Sequence, residues 1–139
     1  MQIRSMTEND EPELARIYLT SRQATFTWMA QADFKRSDFQ HDTLDEEVLV
    51  ATIDRCILGF VSTYQPDNFI HLLFVDPQCF GHGIGKQLLT TALTHTGRPA
   101  RLKCLSANYR AREFYRRNGW VTESENTTPP AYLNLVYGA

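Results

Sequence analysis

Cysteine is scarce in this chain. Cys56, Cys79 and Cys104 are the only three among 139 residues, an odd number without the spacing of a metal-ligand set. All three are expected reduced, in or near the core, with neither a metal nor a catalytic nucleophile among them. Long apolar runs are absent as well. No stretch approaches the roughly 18 apolar residues needed to cross a bilayer, and the opening Met1–Asp10 lacks the apolar segment of a secretory signal. A cytoplasmic protein without a membrane partner is expected. Basic clusters are missing too: 14 Lys and Arg stand against 16 Asp and Glu, for a net charge of −2. That balance argues against a nucleic-acid partner. With 42% apolar and 22% charged residues, disorder and coiled coil fit poorly. The length suits one domain, residues 1–139, with a substantial core.

What is present is a regular alternation of short strands and helices. Gln2 to Met6 reads as a strand, and Asp10 as the N-cap of a helix with Pro12 and Glu13 in its first turn. Leu14, Ile17, Tyr18 and Leu19 form the apolar face of that helix. Thr25 to Thr43 mixes aromatic and polar residues and holds a second, weaker helix. Val48–Ile53 and Ile57–Tyr64 flank Asp54-Arg55, which predicts a hairpin. Phe69 to Val75 follows as a third strand and leads into a glycine-rich turn. A helix carrying Ile84, Leu88, Leu89, Ala92 and Leu93 comes next and ends near Gly97. Arg101–Leu105 is a strand, and Asn108–Asn118 is a helix with Gly119 as its C-cap. Trp120–Thr122 and Ala131–Tyr137 close the chain, separated by the Pro129-Pro130 connection, which breaks regular structure. The order is β-α-α-β-β-β-α-β-α-β-β. The strand–helix–strand step from Phe69 to Leu105 implies one parallel pair in an otherwise antiparallel sheet, hence a mixed α/β domain.

The turn Gly81-His82-Gly83-Ile84-Gly85 places free backbone N–H groups at the positive end of a helix, a site for a phosphate. A Walker loop needs Ser or Thr after Gly-Lys, but Gln87 follows Gly85-Lys86. The dinucleotide fingerprint needs its third glycine one position later, within a doubly wound sheet. A turn that is simply glycine-rich is the bland alternative.

The segment Phe80–Gly85, after a strand ending Val75-Asp76-Pro77, resembles motif A of the GNAT (GCN-related) N-acetyltransferases, Gln/Arg-x-x-Gly-x-Gly/Ala. Phe80 stands where the family has Gln or Arg. Asn108 to Trp120 is similar to the family stretch Asn-x-x-Ala-x-x-Phe-Tyr-x-x-x-Gly-Phe, with Trp120 replacing the last Phe, and Tyr132–Tyr137 resembles the closing strand. The resemblance implies a GNAT-like acyl-CoA N-acyltransferase fold and direct acetyl transfer from acetyl-CoA to an amine, with CoA as product and no metal. It implies that the amides of Phe80, Gly81, His82, Gly83, Ile84, Gly85 and Lys86 hold the pyrophosphate. A small-molecule amine is the expected acceptor. A protein N-terminus or lysine, or a CoA-binding regulatory module without catalysis, is the alternative. The resemblance also allows a homodimer across the last strands.

The same resemblance implies roles for single residues. Tyr115 lies at the position whose phenol faces the CoA sulfur, and a phenol with a pKa near 10 suits a thiolate leaving group; packing beside Phe114 is its structural alternative. Asn108 lies at a CoA-contacting position and is also a natural helix cap. Phe74 and Val75 are where a backbone N–H would meet the carbonyl oxygen, with a β-bulge as the sign. His71 is the candidate base, acting directly or through water, with a water chain and no single essential residue as the alternative. Strand alternation puts His71 on the face of Leu73 and Val75, which leaves a buried histidine as a further rival reading. His82, His41 and His95 rank lower. Phe26, Trp28, Asp33, Phe34 and Asp38 are candidates for the acceptor pocket, with aromatic faces and carboxylates suited to a cationic amine. Tyr132 and Asn134 are candidates for its opposite wall.

Overall fold

A computed structural model describes residues 1–139. In chain order its elements are β1 (Gln2–Ser5), α1 (Glu11–Thr25), α2 (Asp38–Asp42), β2 (Glu47–Ile53), β3 (Cys56–Tyr64), β4 (Phe69–Val75), α3 (Ile84–His95), β5 (Ala100–Leu105), α4 (Tyr109–Arg117), β6 (Val121–Asn126) and β7 (Tyr132–Tyr137). This is the expected order. The β2–β3 hairpin closes on Asp54 and Arg55 at φ +48° and +72°, the left-handed pair that matches the right-handed twist of the strands.

Asp10 departs from its expected capping role. It lies at helical dihedrals in a 3-10 turn, Glu8–Asp10, ahead of α1 and makes no side-chain bond to the helix start. Its carboxylate instead accepts from two nitrogens of Arg4 at 2.7 and 3.0 Å and from the Thr7 N–H at 2.8 Å. Those donors, Arg4 foremost, hold its pKa down at about 2. They also tie β1 to the start of α1.

All seven strands form one sheet in the order β1-β2-β3-β4-β5-β7-β6. Alternating side chains supply two cores. On one face Val48, Val50 and Phe60 meet Leu14, Ile17 and Tyr18 of α1 and Phe39 of α2. On the other, Leu49, Val61, Leu102 and Leu135 meet Leu88, Leu89 and Ala92 of α3, with Phe114 and Tyr115 of α4 at the edge. Cys104 is buried and Cys79 packs half-buried against the core, as expected, whereas Cys56 is exposed, so for it alone the expectation of a place in or near the core fails. Cys56 opens β3 beside the hairpin turn, where nothing covers it.

The one parallel pairing is β4 with β5, and it covers only Phe69 with Arg101 and Ile70 with Leu102. Beyond that point the two strands part. On its other side β4 stays paired with β3 through Val75 opposite Gly59. Ser62 pairs with Leu72 and Thr63 with Ile70, so His71 is the extra residue of a bulge. Gly59 permits the close approach: a Cβ there would lie 2.6 Å from the Phe74 carbonyl oxygen.

Candidate active site

The turn after β4 is built from its anchor outward. Asp76 is buried, accepts from the Gln78 N–H at 3.1 Å and pairs with Arg16 of α1 at 2.8 Å. Gly81 and Gly83 then adopt φ +86° and +72°, a region open to glycine without strain. The first backbone bond of α3 runs from the Gln87 N–H to the Gly83 carbonyl at 3.2 Å. The N–H groups from Phe80 to Lys86 have no acceptor within the chain. A Cβ on Gly85 would touch Val75 and Phe114 at 3.6–3.8 Å, so this glycine faces the space between β4 and α4.

That space is a cleft of about 940 Å³. Leu72 to Val75 of β4 form one wall and Lys103 to Leu105 of β5 the other, with Gly81, Gly83, Gly85 and Lys86 at one end. The Asp76 N–H donates to Leu58 on β3 at 2.7 Å, so strand alternation turns the N–H and C=O of Val75 the other way, toward the gap. The Val75 carbonyl accepts from Ser21 Oγ at 3.1 Å. Of the two candidates, Val75 rather than Phe74 thus directs its backbone to the cleft.

From α4, Asn108, Arg110, Ala111, Phe114 and Tyr115 also line it. Asn108 caps the helix, its side-chain oxygen accepting from the Ala111 N–H at 3.2 Å, which leaves its amide NH₂ free to donate. Tyr115 packs edge-on against Phe114 and Trp120, with ring centroids 5.2 and 6.0 Å apart. Burial, and secondarily Cys104, push its phenol above the ordinary value. Burial also raises the Cys104 thiol to about 11, so this cysteine in the cleft wall is a protonated, poor nucleophile. The Arg110 guanidinium lies 5.0 Å from the centre of the Phe80 ring. A cation from α4 therefore stands beside the position that has lost its expected polar side chain.

The bulge overturns the expected facing of His71. It is an exposed side chain on the α1 side of the sheet, in the cleft lining, and not a buried neighbour of Leu73 and Val75. Its Nδ1 lies 2.7 Å from Glu46, whose other carboxylate oxygen accepts from Ser62. Glu46 sits in the run Asp45-Glu46-Glu47, which reads as a solvated acidic stretch, and no local pattern couples it to His71. The other histidines stand apart. His82 turns into a small separate hollow with Met1 and Ile53, His41 pairs with Asp42 at the surface, and His95 lies 2.9 Å from Glu47.

Tyr18, Ser21, Arg22, Thr25 and Phe26 bring α1 to the cleft. Phe26 is central, 6.5 Å from Phe74 and 5.6 Å from Trp28. Trp28 itself is 51% exposed and does not line the cleft, nor do Phe34, Asp33, Tyr132 or Asn134. Tyr132 lies under Lys103, 5.0 Å from its ammonium, and Asn134 bonds Ser124. Asp38 is committed elsewhere: it accepts from the Lys35 N–H and from buried Arg22, which hold its pKa below the usual carboxylate range. Arg22 also donates to the Lys35 carbonyl at 3.1 Å and stacks 3.7 Å from the Tyr18 ring. Its role in fixing the segment over α1 leaves no trace in local sequence, because all its partners but Tyr18 lie more than ten residues away.

The Acetyltransferase (GNAT) domain family matches residues 44–122. An uncharacterized N-acetyltransferase of Archaeoglobus fulgidus is 31% identical over 131 residues, covering 83% of this chain and 89% of the relative. Among solved structures, the PaiA N-acetyltransferase of Thermoplasma acidophilum in complex with coenzyme A superposes with a TM-score of 0.84 at 18% identity, covering 99% of this chain and 98% of the other. The apo form of YjaB from Escherichia coli gives a TM-score of 0.79 at 25% identity, over 99% and 98% of the two chains. A sheet opened between β4 and β5, a glycine turn at its end and these likenesses agree: the chain belongs to the GNAT N-acetyltransferase family.

Proposed function

We propose that the chain transfers the acetyl group of acetyl-CoA directly to a primary amine of a small molecule. The observation that carries this reading is the run of unpaired amides from Phe80 to Lys86 opening onto the gap between β4 and β5. Such amides at a helix N-terminus suit a pyrophosphate, and Lys86 and Arg110 add positive charge at the same end of the cleft. Asn108 offers its free NH₂ to the pantetheine arm. The donor supplies an activated carbonyl and a thiolate leaving group.

The residues divide the remaining work. His71 takes a proton from the ammonium form of the acceptor, which frees the nitrogen lone pair for attack. The Val75 N–H faces the oxygen on which negative charge develops. Tyr115, kept protonated by its burial, gives its proton to the departing sulfur and recovers one from the amine nitrogen or solvent. Phe26, Phe74 and Tyr18 form the acceptor wall.

The test is amine-dependent release of free thiol from acetyl-CoA across a panel of aromatic, aliphatic and polyamine substrates, N-terminal peptides and lysine peptides. Turnover of small amines supports the proposal. Turnover confined to peptides assigns the chain to protein acetylation, and acetyl-CoA binding without any transfer assigns it to a regulatory module.

A further inference from the structure

We propose that Glu46 is a positioning residue for His71, holding the imidazole in the tautomer that leaves Nε2 unprotonated toward the cleft. This rests on the reading of His71 as the proton acceptor. The bulge leaves His71 without a cross-strand partner, and the Phe69 ring beside it, 6.1 Å between centroids, does not set which ring nitrogen carries the proton. Glu46 does. One carboxylate oxygen lies 2.7 Å from His71 Nδ1 and the other accepts from Ser62 Oγ. Ser62 is fully buried in β3 and the Glu46 side chain is 9% exposed, against 36% for His71. The Glu46 N–H is in turn held by the Thr43 carbonyl at 3.0 Å. The chain of bonds runs from the rigid sheet outward, Ser62 to Glu46 to His71, and ends at the cleft.

The chemistry follows from the acceptor. A carboxylate has no hydrogen to give, so Nδ1 must carry the proton of the neutral ring and Nε2 the lone pair. When an ammonium N–H breaks and its proton joins Nε2, the electron pair stays on the amine nitrogen. The resulting imidazolium already lies beside a fixed anion. Glu46 touches neither acceptor nor donor and acts only through His71.

Two measurements on the full chain test this, with Glu46→Ala and the isosteric Glu46→Gln. In the ¹⁵N spectrum of the neutral His71 ring, the wild type should show Nδ1 protonated and Nε2 bare, and Glu46→Ala should shift the ring toward the Nε2-protonated form that free histidine prefers. With the best amine of the panel, kcat should fall about tenfold or more in both variants, while the KM for acetyl-CoA stays within about twofold. Glu46→Gln guards against misfolding, since it keeps shape and removes charge. An unchanged tautomer in Glu46→Ala, with kcat preserved in both variants, overturns the proposal. His71→Ala separates the two readings. Should it leave kcat intact while Glu46→Ala still moves the tautomer, the base assignment falls and the positioning stands. Should it lower kcat while the tautomer ignores Glu46, the positioning falls and the base stands.

Discussion

Tyr115 joins two facts that sit in different places. Its position in the Asn108–Trp120 stretch is visible in the sequence, whereas the burial that raises its phenol comes from Phe114, Trp120 and the β5 wall. With a pKa above the ordinary value near 10, it keeps its proton through neutral and mildly alkaline pH, the state an acid needs. Tyr115→Phe should lower kcat about a hundredfold or more with little change in acetyl-CoA affinity. The tyrosinate absorbance of wild type minus variant should show residue 115 titrating above the ordinary tyrosine range, and an ordinary titration there would contradict the raised pKa. Asp10 supplies the acid-side counterpart. Its folded pKa of about 2 lies below the unfolded value, so its contribution is fully present above about pH 4 and is lost as pH falls toward 2. Arg4 is 34% exposed, and screening leaves about 1–2 kcal/mol. Asp10→Asn should lose that amount in urea unfolding at pH 7, and the gap to wild type should close between pH 4 and 2. A gap that persists at pH 2 would assign the loss to packing.

At the scale of elements, β4 decides the site because it is treated differently on its two edges. Against β3 it is paired to its end, and against β5 for two residues only. The tight edge depends on Gly59, where a Cβ would meet the Phe74 oxygen at 2.6 Å and Val75 Cα at 3.0 Å. Both neighbours are backbone and cannot move aside alone. Gly59→Ala should cost about 1–3 kcal/mol by chemical denaturation and should lower kcat as well, because Val75 moves with the strand. A stable variant with full turnover would show that β4 tolerates displacement. Strand and helix periodicity made these elements legible, the hairpin turn and the α4 caps included. The bulge at His71 was not legible, since it arises from the register between β3 and β4 and from no residue within β4. That single extra residue turned the histidine from the expected face to the opposite one.

For the whole molecule, the cleft draws its walls from α1, β4, α3, β5 and α4, so a ligand filling it couples elements from both cores. Acetyl-CoA at about a hundred times its Kd should stabilise the fold by about 2.7 kcal/mol, a rise in Tm on the order of 10 °C for a chain of this size. Gly83→Glu and Gly85→Glu should abolish that rise, the first by placing an anion at the amide turn and the second by filling the space toward Val75 and Phe114. No rise at saturating acetyl-CoA would remove the donor from the proposal. The sequence by itself determined the order of elements, the glycine turn and the Asn108–Trp120 stretch, because each rests on neighbours within a turn or two of chain. Only the tertiary structure decided that β4 and β5 part after Ile70, that Asp38 is consumed by Arg22, that Trp28 and Tyr132 stand outside the cleft, and that Glu46 and Ser62 stand behind His71. Those outcomes depend on register and on partners 16 to 25 residues apart or more, and neither periodicity nor composition encodes which distant side chain a strand will bring alongside.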